Sequence, residues 1–165
     1  MLDYSLNSYQ PQLSALSEQA EMRHTASVVF NKALGQGRKK QTLAWLTRKN
    51  RALQILAKLC GRARAEQYLG VRTIRLADII GTENRAHEFD SEFYPLEERL
   101  EERWMSILIA QWQGRTLPPI EVLELDGKYF VRDGHHRLSV ARALGQEDIE
   151  AIVIRYDWEC LPCAS

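Results

Sequence analysis

Five consecutive positions, Asp133-Gly134-His135-His136-Arg137, put a carboxylate, two imidazoles and a guanidinium side by side. Such a set can bind an anion, hold a metal or move a proton. The apolar run Tyr129-Phe130-Val131 leads into an Asp-Gly turn, and a helix then runs toward Gly145, a favoured C-terminal cap. Asp133 is the expected N-cap, with the backbone N–H groups of Gly134, His135 and His136 as the unpaired donors of the helix start. With the positive end of the helix dipole behind them, these donors suit phosphate, and Arg137 adds a bidentate donor one turn in. On this reading Asp133 holds a metal or orients the substrate. His135 or His136 donates to phosphate oxygens or takes a hydroxyl proton. A bare strand–turn–helix with solvated histidines is the ligand-free alternative.

Two further groups carry chemistry of their own. The polar segment from Thr82 to Asp90 contains Arg85, His87, Glu88 and Asp90, any of which can orient a nucleophile for phosphoryl transfer. A hydrolase or nuclease metal centre on Asp133, His135 and His136 is the weaker reading, because adjacent helical residues diverge by about 100°. Cys160-Leu161-Pro162-Cys163 has the spacing of half a zinc site or a redox pair. With no second pair and Cys60 far away, two incidental thiols in a tail are expected.

The elements that must position these groups read as an α+β domain, a small mixed sheet covered by helices. Val71–Leu76 alternates as a strand, with a turn over 77–81 and a loop over 82–90. Pro95 is expected to start a helix with the stripe Leu96, Leu100, Trp104, Ile107 and Leu108, closed by Gly114. Ile120–Leu125 and Lys128–Val131 form a hairpin across Asp126-Gly127, and Ile149–Ile154 is a last strand. Upstream, a short helix is expected near 13–29 and a break at Gly35-Gln36-Gly37. A basic amphipathic helix is then expected from Lys39 to about Tyr68, with Leu43, Leu46, Leu53, Leu56 and Leu59 as its apolar side. The expected division is a helical, basic N-terminal extension over 1–69, the α+β domain over 70–157 and a tail over 158–165.

The formal net charge of zero conceals two opposite stretches. Ten Lys or Arg and no acid lie between Asn31 and Ala65, whereas nine acids against three Arg lie from Asp78 to Arg103. The basic stretch, 38–64, reads as a nucleic-acid contact, as a solvated face of a helix packed against the domain, or as a patch that meets the acidic stretch. No apolar run reaches membrane-spanning length, no basic-then-apolar leader is visible, and three cysteines form no framework. A cytoplasmic protein without a membrane partner is expected.

The succession Leu117-Pro118-Pro119-Ile120-Glu121-Val122, Gly127–Val131, Asp133–Arg137 and Val140-Ala141-Arg142-Ala143-Leu144-Gly145 resembles the ParB/sulfiredoxin superfamily over about residues 71–156. The Asp-Gly-x-His-Arg pattern is most similar to the free serine kinases of that fold. The sulfiredoxin nucleophilic cysteine is replaced by His135, so that chemistry does not carry over. The loop also departs from the Gly-Glu-Arg-Arg type of ParB, and with it from ParB-type CTP binding and clamp switching. About ten residues follow Ile154, too few for ParB's helix-turn-helix domain, so a full partition protein is not expected. The resemblance implies ATP or another nucleotide with Mg2+, a cradle of Gly134, His135, His136 and Arg137, and Asp133 as metal ligand. Asp133, His136 and Glu88 are the catalytic candidates, Glu88 matching the carboxylate supplied by the loop after the first strand. A small-molecule kinase or NTPase is the leading expectation. A non-catalytic DNA-binding or regulatory module is the alternative.

Overall fold

The computed structural model describes residues 10–46, 53–56, 63–83, 85 and 87–158. Among the described residues it is an α+β arrangement in which three fully described helices accompany a six-stranded mixed sheet. Helix α1 is Gln10–Leu46, α2 is Glu101–Trp112 and α3 is His135–Ala143. The strands are β1 (Gln54–Ile55), β2 (Ala63–Arg75), β3 (Ile79–Thr82), β4 (Ile120–Leu125), β5 (Lys128–Asp133) and β6 (Asp148–Trp158). Their order is β1-β3-β5-β4-β6-β2, with β4–β5 and β6–β2 antiparallel and the other pairs parallel.

The hairpin forms where its turn chemistry places it. Asp126 and Gly127 both have positive φ, 49° and 75°, as the mirror-image two-residue turn requires. Alternation along β4 and β5 sends Val122 and Val131 into the main core and Leu123 and Phe130 into a smaller cluster with Leu56. Trp104 of α2 is fully buried in the main core, edge-on to Phe30 of α1 at 5.5 Å. Its indole Nε1 donates to Ser139 Oγ of α3 at 2.9 Å. This contact ties the three helices together.

The N-terminal half departs from its sequence pattern. No break occurs at Gly35-Gln36-Gly37, because α1 runs through it as one helix of 37 residues. Ala26, Phe30, Ala33 and Leu34 bury one stripe, and Gly37 continues it where any Cβ would lie 2.6 Å from the Pro95 carbonyl oxygen. Packing of that stripe outweighs the roughly 1 kcal/mol that each helical glycine costs. The basic helix expected over 39–68 is likewise overturned: α1 ends at Leu46, and β1 and β2 occupy part of the remainder. Leucines three or seven apart do not distinguish a helix from short sheet-edge strands, and here Leu53 and Leu56 bury on either side of β1. The boundary drawn at 69/70 falls inside β2, and 1–69 is therefore not all helical. Arg48, Lys49, Arg51, Lys58, Cys60, Arg62 and the Cys160–Cys163 motif lie outside the described residues.

The two opposite charge stretches meet. Arg38 pairs with Glu98 at 3.1 Å and Lys40 with Glu92 at 2.5 Å; nearer the start of α1, ahead of the basic stretch, Arg23 pairs with Glu102 at 3.0 Å and Ser27 donates to Glu101 at 2.7 Å. In the described part, Arg38 and Lys40 are thus engaged by the acidic segment, while Lys39 remains exposed.

Candidate functional site

Pro95 does not begin a helix. It forms an isolated bridge with Phe89, a 3-10 turn follows at Glu98–Leu100, and α2 starts only at Glu101. The Asp90 carboxylate organises this loop by accepting the N–H groups of Glu92 and Tyr94 at 2.9 and 2.8 Å. Burial pushes the Asp90 pKa up, and its other oxygen, Oδ2, is buried without a hydrogen-bond partner. The loop brings the buried Phe89 beneath both histidines of α3. Its ring centroid is 6.1 Å from that of His135, nearly parallel, and 5.5 Å from that of His136, edge-on.

The N-cap of α3 is Gly134, not Asp133. Gly134 has φ 92°, and a Cβ there would stand 2.5 Å from Ile120 Cγ2, so the chain passes too close to β4 for any side chain. Asp133 is left as the last residue of β5, and its carboxylate turns instead to Arg137, accepting from Nη2 at 2.8 Å. Arg137 Nη1 donates to the Pro118 carbonyl at 2.8 Å. The first backbone bond into the helix runs from Leu138 N to Gly134 O. The N–H groups ahead of it have no intrahelical acceptor, and among the described residues no side chain caps them.

A cavity of about 360 Å³ opens at this helix start. Asp133, Gly134, His135, His136 and Arg137 line it from one side, Arg103, Ser106 and Ile107 of α2 and Arg85 of the loop from another, and Leu117 and Pro118 close it. Both histidines are buried, with pKa values lowered to about 4, chiefly by that burial and next by Arg85 for His135 and Arg103 for His136. Both are therefore neutral near pH 7. The Nε2 of His135 lies 2.7 Å from Thr82 Oγ1, whereas Nδ1 of His136 is buried with no partner.

Of the five residues 133–137, all line the cavity. Glu88 does not. It is buried behind Arg85, taking Arg85 Nη1 at 3.4 Å and Arg99 Nη2 at 3.1 Å. Burial raises its pKa, but the two guanidinium groups outweigh that and hold it below the usual carboxylate value. Glu88 thus stands as a support for Arg85. His87 is exposed.

No family model matches the chain, and no curated protein does. A solved structure similar to it is sulfiredoxin from Arabidopsis thaliana, 22% identical, covering 50% of this chain and 82% of that one, with a TM-score of 0.39.

Arg103 and Ser106 are the cavity residues that the sequence pattern did not disclose. The one available signal was the repeated Glu-Glu-Arg of residues 97–99 and 101–103, which does not say which arginine faces a site. Among the described residues the Arg103 side chain has no ion-pair partner. The metal reading fares differently. Mg2+ is commonly held by one or two carboxylates together with phosphate oxygens. Asp133 is the single carboxylate on the cavity wall, where it pairs with Arg137 and shares the lining with Arg85 and Arg103. No group of three or more His, Cys, Asp or Glu among the described residues is placed to hold a metal. One carboxylate against three guanidinium groups is a lining whose charge favours an anion over a divalent cation. No helix among the described residues is long and apolar enough to cross a membrane.

Proposed function

We propose that this chain is a nucleotide-binding protein that seats phosphate at the start of α3, with phosphoryl transfer or NTP hydrolysis as its reaction. The observation that carries the reading is the convergence, on one cavity, of an uncapped helix N-terminus with Arg85, Arg103 and Arg137. Leu117, Pro118 and Ile107 offer an apolar wall for the rest of the ligand. With pKa values of about 4, the histidines are poor bases at neutral pH and serve as neutral hydrogen-bonding groups toward phosphate. Asp133 is the one carboxylate lining the cavity and so the candidate to orient an acceptor hydroxyl or water, and Glu88 acts by holding Arg85.

Thermal melting with ATP, ADP and CTP tests this. A ligand at about 100 times its Kd stabilises the native state by about 2.7 kcal/mol. At roughly 2–4 °C per kcal/mol for a chain of this size, the Tm should rise by about 5–10 °C. The rise should shrink in Arg103→Gln, because among the described residues Arg103 makes no ion pair that another element depends on. An unchanged Tm with all three nucleotides at millimolar concentration would refute the proposal.

A further inference from the structure

We infer that this cavity takes its phosphate without a divalent cation: Arg85, Arg103 and Arg137 neutralise the anion, and Asp133 is the carboxylate that phosphate displaces from Arg137. The inference rests on reading the cavity as a phosphate site and assigns the charge chemistry within it. Three guanidinium groups and one carboxylate line the wall, a surplus of two positive charges while both histidines are neutral, which Glu88 behind Arg85 reduces to one. That surplus attracts a dianion and repels a dication. Phosphate is matched in shape as well, because each guanidinium can present two parallel N–H groups to its oxygens.

The three arginines are not equally committed. Arg103 has no ion pair among the described residues, and Arg85 reaches Glu88 only at 3.4 Å. Arg137 holds Pro118 O through Nη1 and Asp133 through Nη2. The Asp133 side chain is 62% exposed, so its pair with Arg137 is weak and the carboxylate can swing into solvent. A phosphate above the α3 N-terminus meets the helix N–H groups at the same time, which Asp133 does not engage. It is the stronger partner for Arg137. Nδ1 of His136 is buried without a partner at the back of this wall, and reaching it would require the ring to turn.

The test is calorimetric titration of the full chain with ADP, once in EDTA and once in excess Mg2+, for the wild type, Asp133→Asn and Arg103→Gln. The expected affinity in EDTA equals or exceeds that in Mg2+. Asp133→Asn should tighten binding in EDTA about threefold or more, because a competing negative charge is gone, and Arg103→Gln should weaken it about tenfold. Binding by the wild type that requires Mg2+, or is strengthened tenfold by it, would overturn the inference while leaving the nucleotide site intact. So would weaker binding in a folded Asp133→Asn. No binding by the wild type under either condition would overturn the nucleotide reading itself, and this inference with it.

Discussion

Replacing Gly134 by Ala probes the joint on which the site depends. Two costs add. Gly134 sits at φ 92°, outside the range an L-residue adopts without strain, and the left-handed region costs about 1–2 kcal/mol. A Cβ there would also meet Ile120 Cγ2 at 2.5 Å and Ile120 Cβ at 2.8 Å. Ile120 is fully buried on β4 and cannot retreat, so overpacking adds about 1–3 kcal/mol. Gly70 supplies the control. It has nearly the same φ, 86°, at the irregularity of β2, but nothing lies within 4 Å of its added Cβ. Gly70→Ala should therefore cost about 1–2 kcal/mol and Gly134→Ala about 2–5 kcal/mol. Urea unfolding followed by circular dichroism measures both. The Gly134→Ala variant should also lose the ADP-dependent rise in Tm, because Arg137 Nη2 lies 2.9 Å from the new methyl group and must move. Equal destabilisation by the two substitutions would refute the claim that contact with Ile120, beyond backbone strain, requires glycine at the helix start.

Two other expectations concern buried polar groups. The folded-state pKa of about 4 for His135 and His136, against about 6.5 unfolded, means that the unfolded chain binds more protons between these values. Their contribution is complete above pH 6.5 and falls as the pH drops toward 4, by up to about 3 kcal/mol per histidine. Urea midpoints between pH 7.5 and 4.5 should show it, and NMR titration should find neither ring protonating above pH 5. A ring that titrates near 6.5 would contradict the burial argument. Trp104→Phe should cost at least about 1–3 kcal/mol, since it strands the buried Ser139 hydroxyl. Ser139→Ala in that background should recover part of the loss in a double-mutant cycle, and strict additivity would show that the bond contributes nothing.

How far the sequence could be read depended on the range of the interactions involved. The Asp126-Gly127 turn, the hairpin on either side of it, the strand–helix junction at residues 133–135 and the stop at Gly145 were legible. Each rests on backbone preferences of a few adjacent residues. The N-cap was misplaced by one residue because the space at Gly134 is filled by Ile120, fourteen positions earlier in the chain. The helix through Gly35 and Gly37 was hidden for a similar reason. Local propensity argues for a break there, and only the close approach of Pro95 shows why glycine suits the contact. Leu53 and Leu56 carried the right hydrophobicity, yet their spacing could not reveal that β1 would pair with β3.

The sequence by itself determined the α+β class and the cluster from Asp133 to Arg137, because alternation, turn residues and a dense run of polar groups are local properties of the chain. Only the tertiary structure decided what surrounds that cluster. It set Arg103 opposite the histidines, withdrew Glu88 behind Arg85, turned Asp133 onto Arg137 and spent Arg38 and Lys40 on the acidic segment. Charges act through space on whatever folding brings near them, and the order of residues along the chain does not state those distances.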